Sequence, residues 1–93
     1  MTYQLTSYIA FQEVLCNLGE RQKLVLKAIK HLQPCSNLEI SKFLGLPINT
    51  ITPRCQELRK KNLVIYYKRD ICKYTKRLVI YWKIPEWIKD VMT

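Results

Sequence analysis

The sequence predicts a small α+β domain, a three-helix core followed by a two-stranded β-hairpin, and three observations predict it. A helix-capping pattern and a glycine punctuate two short amphipathic segments between residues 36 and 62. After Asn62 the apolar pattern changes from helical spacing to runs of β-branched and aromatic residues. Ten of the sixteen Lys and Arg residues then fall between positions 54 and 83, on the last of these helices and the hairpin. Two helices joined by a tight turn and followed by a basic hairpin make a winged helix-turn-helix. Here it carries an extra N-terminal helix and a short C-terminal one. At 93 residues the chain is one domain, 1–93.

The elements follow in order. Residues 6–18 carry Tyr8, Phe11, Val14, Leu15 and Leu18 at helical spacing, with Thr6 or Ser7 to start the helix and Gly19 to end it. In "ERQKLVLKAIKHL", Leu24, Val25, Ala28, Ile29 and Leu32 make one face and Arg21, Lys23, Lys27 and Lys30 the other. Gln33-Pro34 stops this second helix. "SNLEISKFLGL" opens with Ser36 and has Glu39 three residues on. In that capping box each side chain satisfies the other residue's backbone N–H. Leu38, Ile40, Phe43 and Leu44 are its apolar set, and Gly45 tolerates the left-handed conformation a helix end requires.

The helix-turn-helix therefore spans about 36–62. Its second helix has Ile51, Cys55 and Leu58 on one stripe. Pro53 is compatible with a start near Asn49 or Thr50, because the first turn has N–H groups to spare. Thr52, preceding a proline, is expected to lean toward extended geometry and loosen that turn. "LVIYYK" and "RLVIYWKI", joined by "RDICKYTK", form the hairpin over about 63–84. Pro85 ends it, and a short helix is expected over 85–92.

Charge narrows the class of partner. The net charge is +9, and residues 54–83 alone carry ten bases against Glu57 and Asp70. A concentrated patch of this kind attracts a polyanion. No segment approaches a membrane span in length, and the N-terminus lacks the layout of a secretory signal. A cytoplasmic location and no membrane partner are therefore expected. Cys16, Cys35, Cys55 and Cys72 show no C-x-x-C pair, and the single histidine, His31, has no cysteine at zinc-finger spacing. They read as buried thiols, with a disulfide or an unusual metal site as the alternative. No metal and no cofactor are expected.

"LGERQKLVLKAIKHLQPCSNLEISKFLGLPINTITPRCQELRKKNLV", followed by "RDICKYTKRLVIYWK", resembles a family of small winged-helix proteins common in bacteriophages and prophages. The resemblance runs from about Tyr8 to Lys83. "LGERQ", the "LGLPINTITPR" core with "ELRKK", and the "C-K-x-T" turn before "W-K" carry it. It implies a DNA-binding regulator. The family usually has glycine where Asn62 and Lys76 stand here. Asn62 can still adopt the left-handed cap; Lys76 implies a wing tip that is longer or bent differently.

A helix-turn-helix places its second helix in the major groove of double-stranded DNA, with the wing on phosphates or in a neighbouring groove. Asn49, Thr50 and Arg54 are expected to face outward from the start of that helix. Asn reads adenine, Arg reads guanine, and Thr meets a methyl group or a phosphate. Capping is the alternative for Asn49 and Thr50. Lys61 and Arg69 suit phosphates, as do Lys73, Thr75, Lys76 and Arg77 in the wing. The alternative for the wing run is a charged tip that keeps an edge strand soluble. Ser36 is a helix cap whose N-terminal dipole can hold a phosphate. In the hairpin, packing on the helices accounts for Trp82 and at least half of the tyrosines; exposed tyrosines would instead stack on single strands.

Tyr3, Tyr8 and Phe11 at one end and Trp87, Ile88 and Val91 at the other exceed what a minimal winged helix needs; those flanking helices are expected to pack on their own domain or on a second copy, with a homodimer favoured, or to offer a docking face for another protein. No phosphate-binding loop and no nucleophile-base pair are present, so no catalytic residue is assigned, no enzyme activity is expected and no small-molecule ligand is inferred.

Overall fold

The computed structural model describes residues 2–86 and residue 88, with side chains from Ile9 onward. Four helices, α1 (Thr2–Cys16), α2 (Glu20–Leu32), α3 (Asn37–Leu44) and α4 (Ile48–Lys60), precede β1 (Ile65–Ile71) and β2 (Leu78–Lys83). The strands pair antiparallel, with a bulge between Tyr66 and Lys68. This is the winged helix-turn-helix: a three-helix core of α2, α3 and α4, with the β1–β2 hairpin as the wing. The C-terminal helix expected over 85–92 lies largely outside the described residues, although Ile88 is buried in the core.

The core forms where the apolar stripes meet. Val25, Leu26, Ala28 and Ile29 of α2, Ile40 of α3, and Ile51, Cys55 and Leu58 of α4 are buried together with Leu63, Val64, Trp82 and Ile84. Phe11 and Leu18 add α1 to this cluster. Leu24 departs from expectation: it is exposed, and Leu26 takes its place inside. The stripe on α2 is therefore rotated by part of a turn toward the side that α1 covers. α1 itself begins four residues earlier than expected and ends at Cys16 rather than at residue 18. Leu18 still reaches the core from the connecting turn.

Capping chemistry sets the boundaries. The Ser36 hydroxyl accepts from the Glu39 N–H at 3.3 Å, and Glu39 Oε1 accepts from the Ser36 N–H at 2.9 Å. Gly45, at φ 68°, ends α3. α4 ends in the reciprocal pair expected of a left-handed cap: the Leu63 N–H reaches the Leu58 carbonyl and the Asn62 N–H the Arg59 carbonyl, both at 3.0 Å. Asn62 sits between them at φ 61°. That is why the strand starts at Ile65 and not at residue 63: Leu63 and Val64 are spent on the cap and the core.

α4 starts earlier than expected, with Pro47 in the cap position and Ile48 as its first residue. Pro53 therefore lies beyond the first turn and leaves the Asn49 carbonyl without its usual helical donor. Both residues are exposed, so water can take up that carbonyl. The loosening expected at Thr52 does not occur. Thr52 is helical, and its hydroxyl donates to the Ile48 carbonyl at 3.2 Å and accepts from Asn37 Nδ2 at 3.4 Å. These side-chain bonds oppose the preference that proline imposes on the residue before it.

β2 docks on the helices through Cys35. The Trp82 N–H bonds the Cys35 carbonyl at 2.7 Å, and the Cys35 N–H bonds the Trp82 carbonyl at 3.1 Å. The Trp82 indole N–H donates to Asn37 Oδ1 at 2.7 Å. These bonds fix the wing against the start of α3.

Candidate nucleic-acid interface

The buried stripe of α4 defines what the helix shows to solvent. At about 100° per residue, Asn49, Pro53, Gln56 and Lys60 lie opposite Ile51, Cys55 and Leu58, and all four are exposed. Thr52, also exposed, turns toward the wing. A cleft of about 330 Å³ separates α4 from the hairpin, lined among others by Asn37, Thr52, Gln56, Arg69 and Leu78. Its walls offer amide, hydroxyl and guanidinium groups above an apolar floor.

Asn49 is where it was expected, outside. Thr50 and Arg54 are not: both are half-buried on the flank of α4. Arg54 forms an ion pair with Glu57, Nε lying 2.8 Å from Oε1, and its terminal nitrogen donates to Oε2 at 2.9 Å. Gln22 of α2 holds the same carboxylate, its Nε2 donating to Oε1 at 2.7 Å while its Oε1 accepts from the Gly19 N–H at 3.0 Å. The Gln22 bond first, and Arg54 with it, hold the Glu57 carboxyl below the usual glutamate range. Arg54 is thus folded back toward α2. Gln56 and Lys60 occupy the outward positions, which the helical spacing of the buried stripe already marks.

Ser36 is buried, and its hydroxyl and N–H both serve the cap. Lys61, Arg69, Lys73, Thr75, Lys76 and Arg77 are all exposed. The tip that carries the last four closes through the Cys72 N–H to the Arg77 carbonyl and the Lys76 N–H to the Cys72 carbonyl, both at 2.8 Å. Lys76 takes φ 60°, the left-handed conformation, at the place where the resemblance implies glycine. Cys72 is buried beneath it, and hydrogen bonds from Thr75 hold its thiol below the usual cysteine range. Tyr74 lies between two cations, Lys42 Nζ at 4.6 Å and Lys73 Nζ at 5.3 Å from its ring centroid. Lys73 Nζ lies 3.9 Å from the Glu39 carboxylate. The wing tip is therefore tethered to α3.

All four cysteines are free: Cys35, Cys55 and Cys72 are buried and Cys16 is exposed, against the expectation of burial for all. Burial pushes the Cys35 and Cys55 thiols up to about 12. Among the described residues no group of three or more His, Cys, Asp or Glu side chains is placed to hold a metal ion. No helix among them is long and apolar enough to cross a membrane. A second cavity of about 290 Å³ opens between α1 and α2, lined by Phe11, Leu15, Cys16, Lys23, Leu26 and Lys27. Its lining is apolar apart from the ammonium groups of Lys23 and Lys27.

The arrangement defines a winged helix-turn-helix domain with a basic wing. Solved structures share it. MarR of Staphylococcus aureus, in complex with salicylate and kanamycin, superposes with a TM-score of 0.60 at 19% identity, covering 98% of this chain and 57% of that one. ZitR of Lactococcus lactis, solved as a cysteine-to-serine mutant, superposes with a TM-score of 0.57 at 19% identity, covering 82% and 49%. The chain thus spans about half the length of these two neighbours. No family model and no curated protein matches it.

Proposed function

We propose that the protein binds double-stranded DNA through α4 and the wing and acts as a small transcriptional regulator rather than an enzyme. One observation carries this reading: α4 with its C-terminal cap and the wing together expose Asn49, Gln56, Lys60, Lys61, Arg69, Lys73, Lys76 and Arg77. Amide side chains at the centre can read base edges, and cations at the margins can bind phosphates. The likeness in fold to MarR and ZitR supports the class, and the resemblance of the "LGLPINTITPR" core supports a phage or mobile-element setting. A homodimer that joins two such surfaces would read two half-sites. The salicylate held by MarR makes the α1–α2 cavity a place to look for a small-molecule effector.

The experiment is binding to labelled genomic duplex fragments over a range of salt concentrations. One fragment is expected to be preferred. Its affinity is expected to fall with a log–log slope of about −5, as roughly six cations release counterions. Absence of duplex binding at low salt overturns the reading. A stoichiometric protein partner whose capture is unaffected by Gln56→Ala and Lys76→Ala would instead favour an interaction module.

A further inference from the structure

We propose that the outer face of the wing is a second nucleic-acid surface, which takes unpaired bases of a single strand on Tyr67 and Tyr81 between Lys68 and Lys83. This goes beyond duplex binding and uses the side of the hairpin that does not line the α4 cleft. The cleft side carries Arg69, Leu78, Ile80 and Trp82. The register runs Tyr66↔Trp82 on the cleft side and then Lys68↔Tyr81 on the other, so Tyr67 is the extra residue of the bulge. A bulge re-aims a side chain, and here it groups Tyr67 with residues from both strands. Lys83 Nζ lies 5.1 Å from the Tyr67 centroid, and Lys68 Nζ lies 5.9 Å from that of Tyr67 and 5.7 Å from that of Tyr81.

The core has no need of Tyr67. Its side chain is 48% exposed, whereas Trp82 on the opposite face is 2% exposed and hydrogen-bonded to Asn37. Tyr81 is half-buried and anchored, its hydroxyl donating to the Ile71 carbonyl at 3.4 Å. The surface is also concave. Gln33 and Pro34 at the end of α2 join Tyr67 and Lys83 around a cleft of about 230 Å³. The single acid on the hairpin, Asp70, is paired with Lys68 at 3.0 Å. Rings interleaved with ammonium groups match a partner made of flat bases on an anionic backbone. A purely apolar partner would leave Lys83 desolvated without a counter-charge. A duplex hides its base faces, so the occupant is a single strand.

The test measures anisotropy of labelled oligothymidine and oligouridine, each of roughly 15 nucleotides, alongside a duplex, with the full chain and its Tyr67→Ala and Tyr67→Phe variants. Tyr67→Ala is expected to weaken single-strand binding about tenfold and to leave duplex affinity within about twofold. Tyr67→Phe is expected to retain single-strand binding. Circular dichroism melting verifies that the exposed substitutions leave the fold intact. A preference for one oligomer identifies the strand as DNA or RNA. The proposal is overturned if neither oligomer binds at low salt, if Tyr67→Ala binds them as tightly as the parent, or if it weakens duplex and single strands alike. Loss of duplex binding by the parent, with single-strand binding retained, would overturn the duplex reading and leave this one standing.

Discussion

Lys76 and Asn62 share a left-handed backbone, at φ 60° and 61°, and only one of them is a residue type that tolerates it well. The Cβ of Lys76 crowds the following carbonyl oxygen, and the conformation costs an ordinary L-residue roughly 1 kcal/mol. Lys76→Gly is therefore expected to raise the stability measured by urea unfolding by about 0.5 kcal/mol after the entropy glycine brings to the unfolded chain, while it weakens duplex binding. Asn62→Ala is expected to cost about 1 kcal/mol. The thiols give a second test at this scale. Cys35 and Cys55 titrate near 12 in the folded chain against an ordinary 9.0. Their contribution to stability is complete below the ordinary value and is lost as pH rises toward 12. At mildly alkaline pH, a thiol reagent is expected to label the exposed Cys16 quickly and the three buried cysteines only on unfolding.

At the scale of elements, α2 and α4 are joined by the chain Gly19, Gln22, Glu57 and Arg54. Glu57 titrates below its ordinary range, so its contribution to stability is present above that range and lost as pH falls through the folded-state value. Gln22→Ala is expected to flatten this acid limb in unfolding curves recorded across pH. Glu57→Ala frees Arg54 and removes one negative charge from α4. Duplex affinity at low salt is expected to rise about threefold to tenfold. The same chain explains why Arg54 could not be placed from sequence. Helical spacing puts it on a flank, and its direction is then decided by a glutamine 35 positions from its acid partner. The capping box at Ser36 and the stripe on α4 were legible because both depend on neighbours within one or two turns. Leu24 and Leu26 were not, because nearby leucines on α2 are distinguished only by where α1 lies. The hairpin tyrosines fell between these cases: Trp82 is buried as expected, but Tyr66 and Tyr67 are about half exposed and Tyr81 is only half-buried. The register depends on a bulge that no residue pattern announces.

Over the whole molecule, the excess charge, the outward face of α4 and the tethered wing coincide on one third of the chain. The helices and Cys35 form a rigid base: Trp82 is bonded to both Cys35 and Asn37, so the wing keeps its angle to α4. The two faces of that wing divide the chemistry, Arg69 among apolar side chains toward α4, tyrosines and lysines away from it. Pro53 lies at the centre of the outward face of α4, flanked by Asn49 and Gln56, where it contributes shape without a hydrogen bond. The most direct measurement is selection of bound sequences from a random duplex pool, repeated with Asn49→Ala/Gln56→Ala. The parent is expected to return an ordered consensus, and the double variant a relaxed one, with each lost base-edge contact costing about 1–3 kcal/mol and the salt slope unchanged. A pool that returns no consensus, or one the double variant reproduces, would contradict a base-reading role for α4.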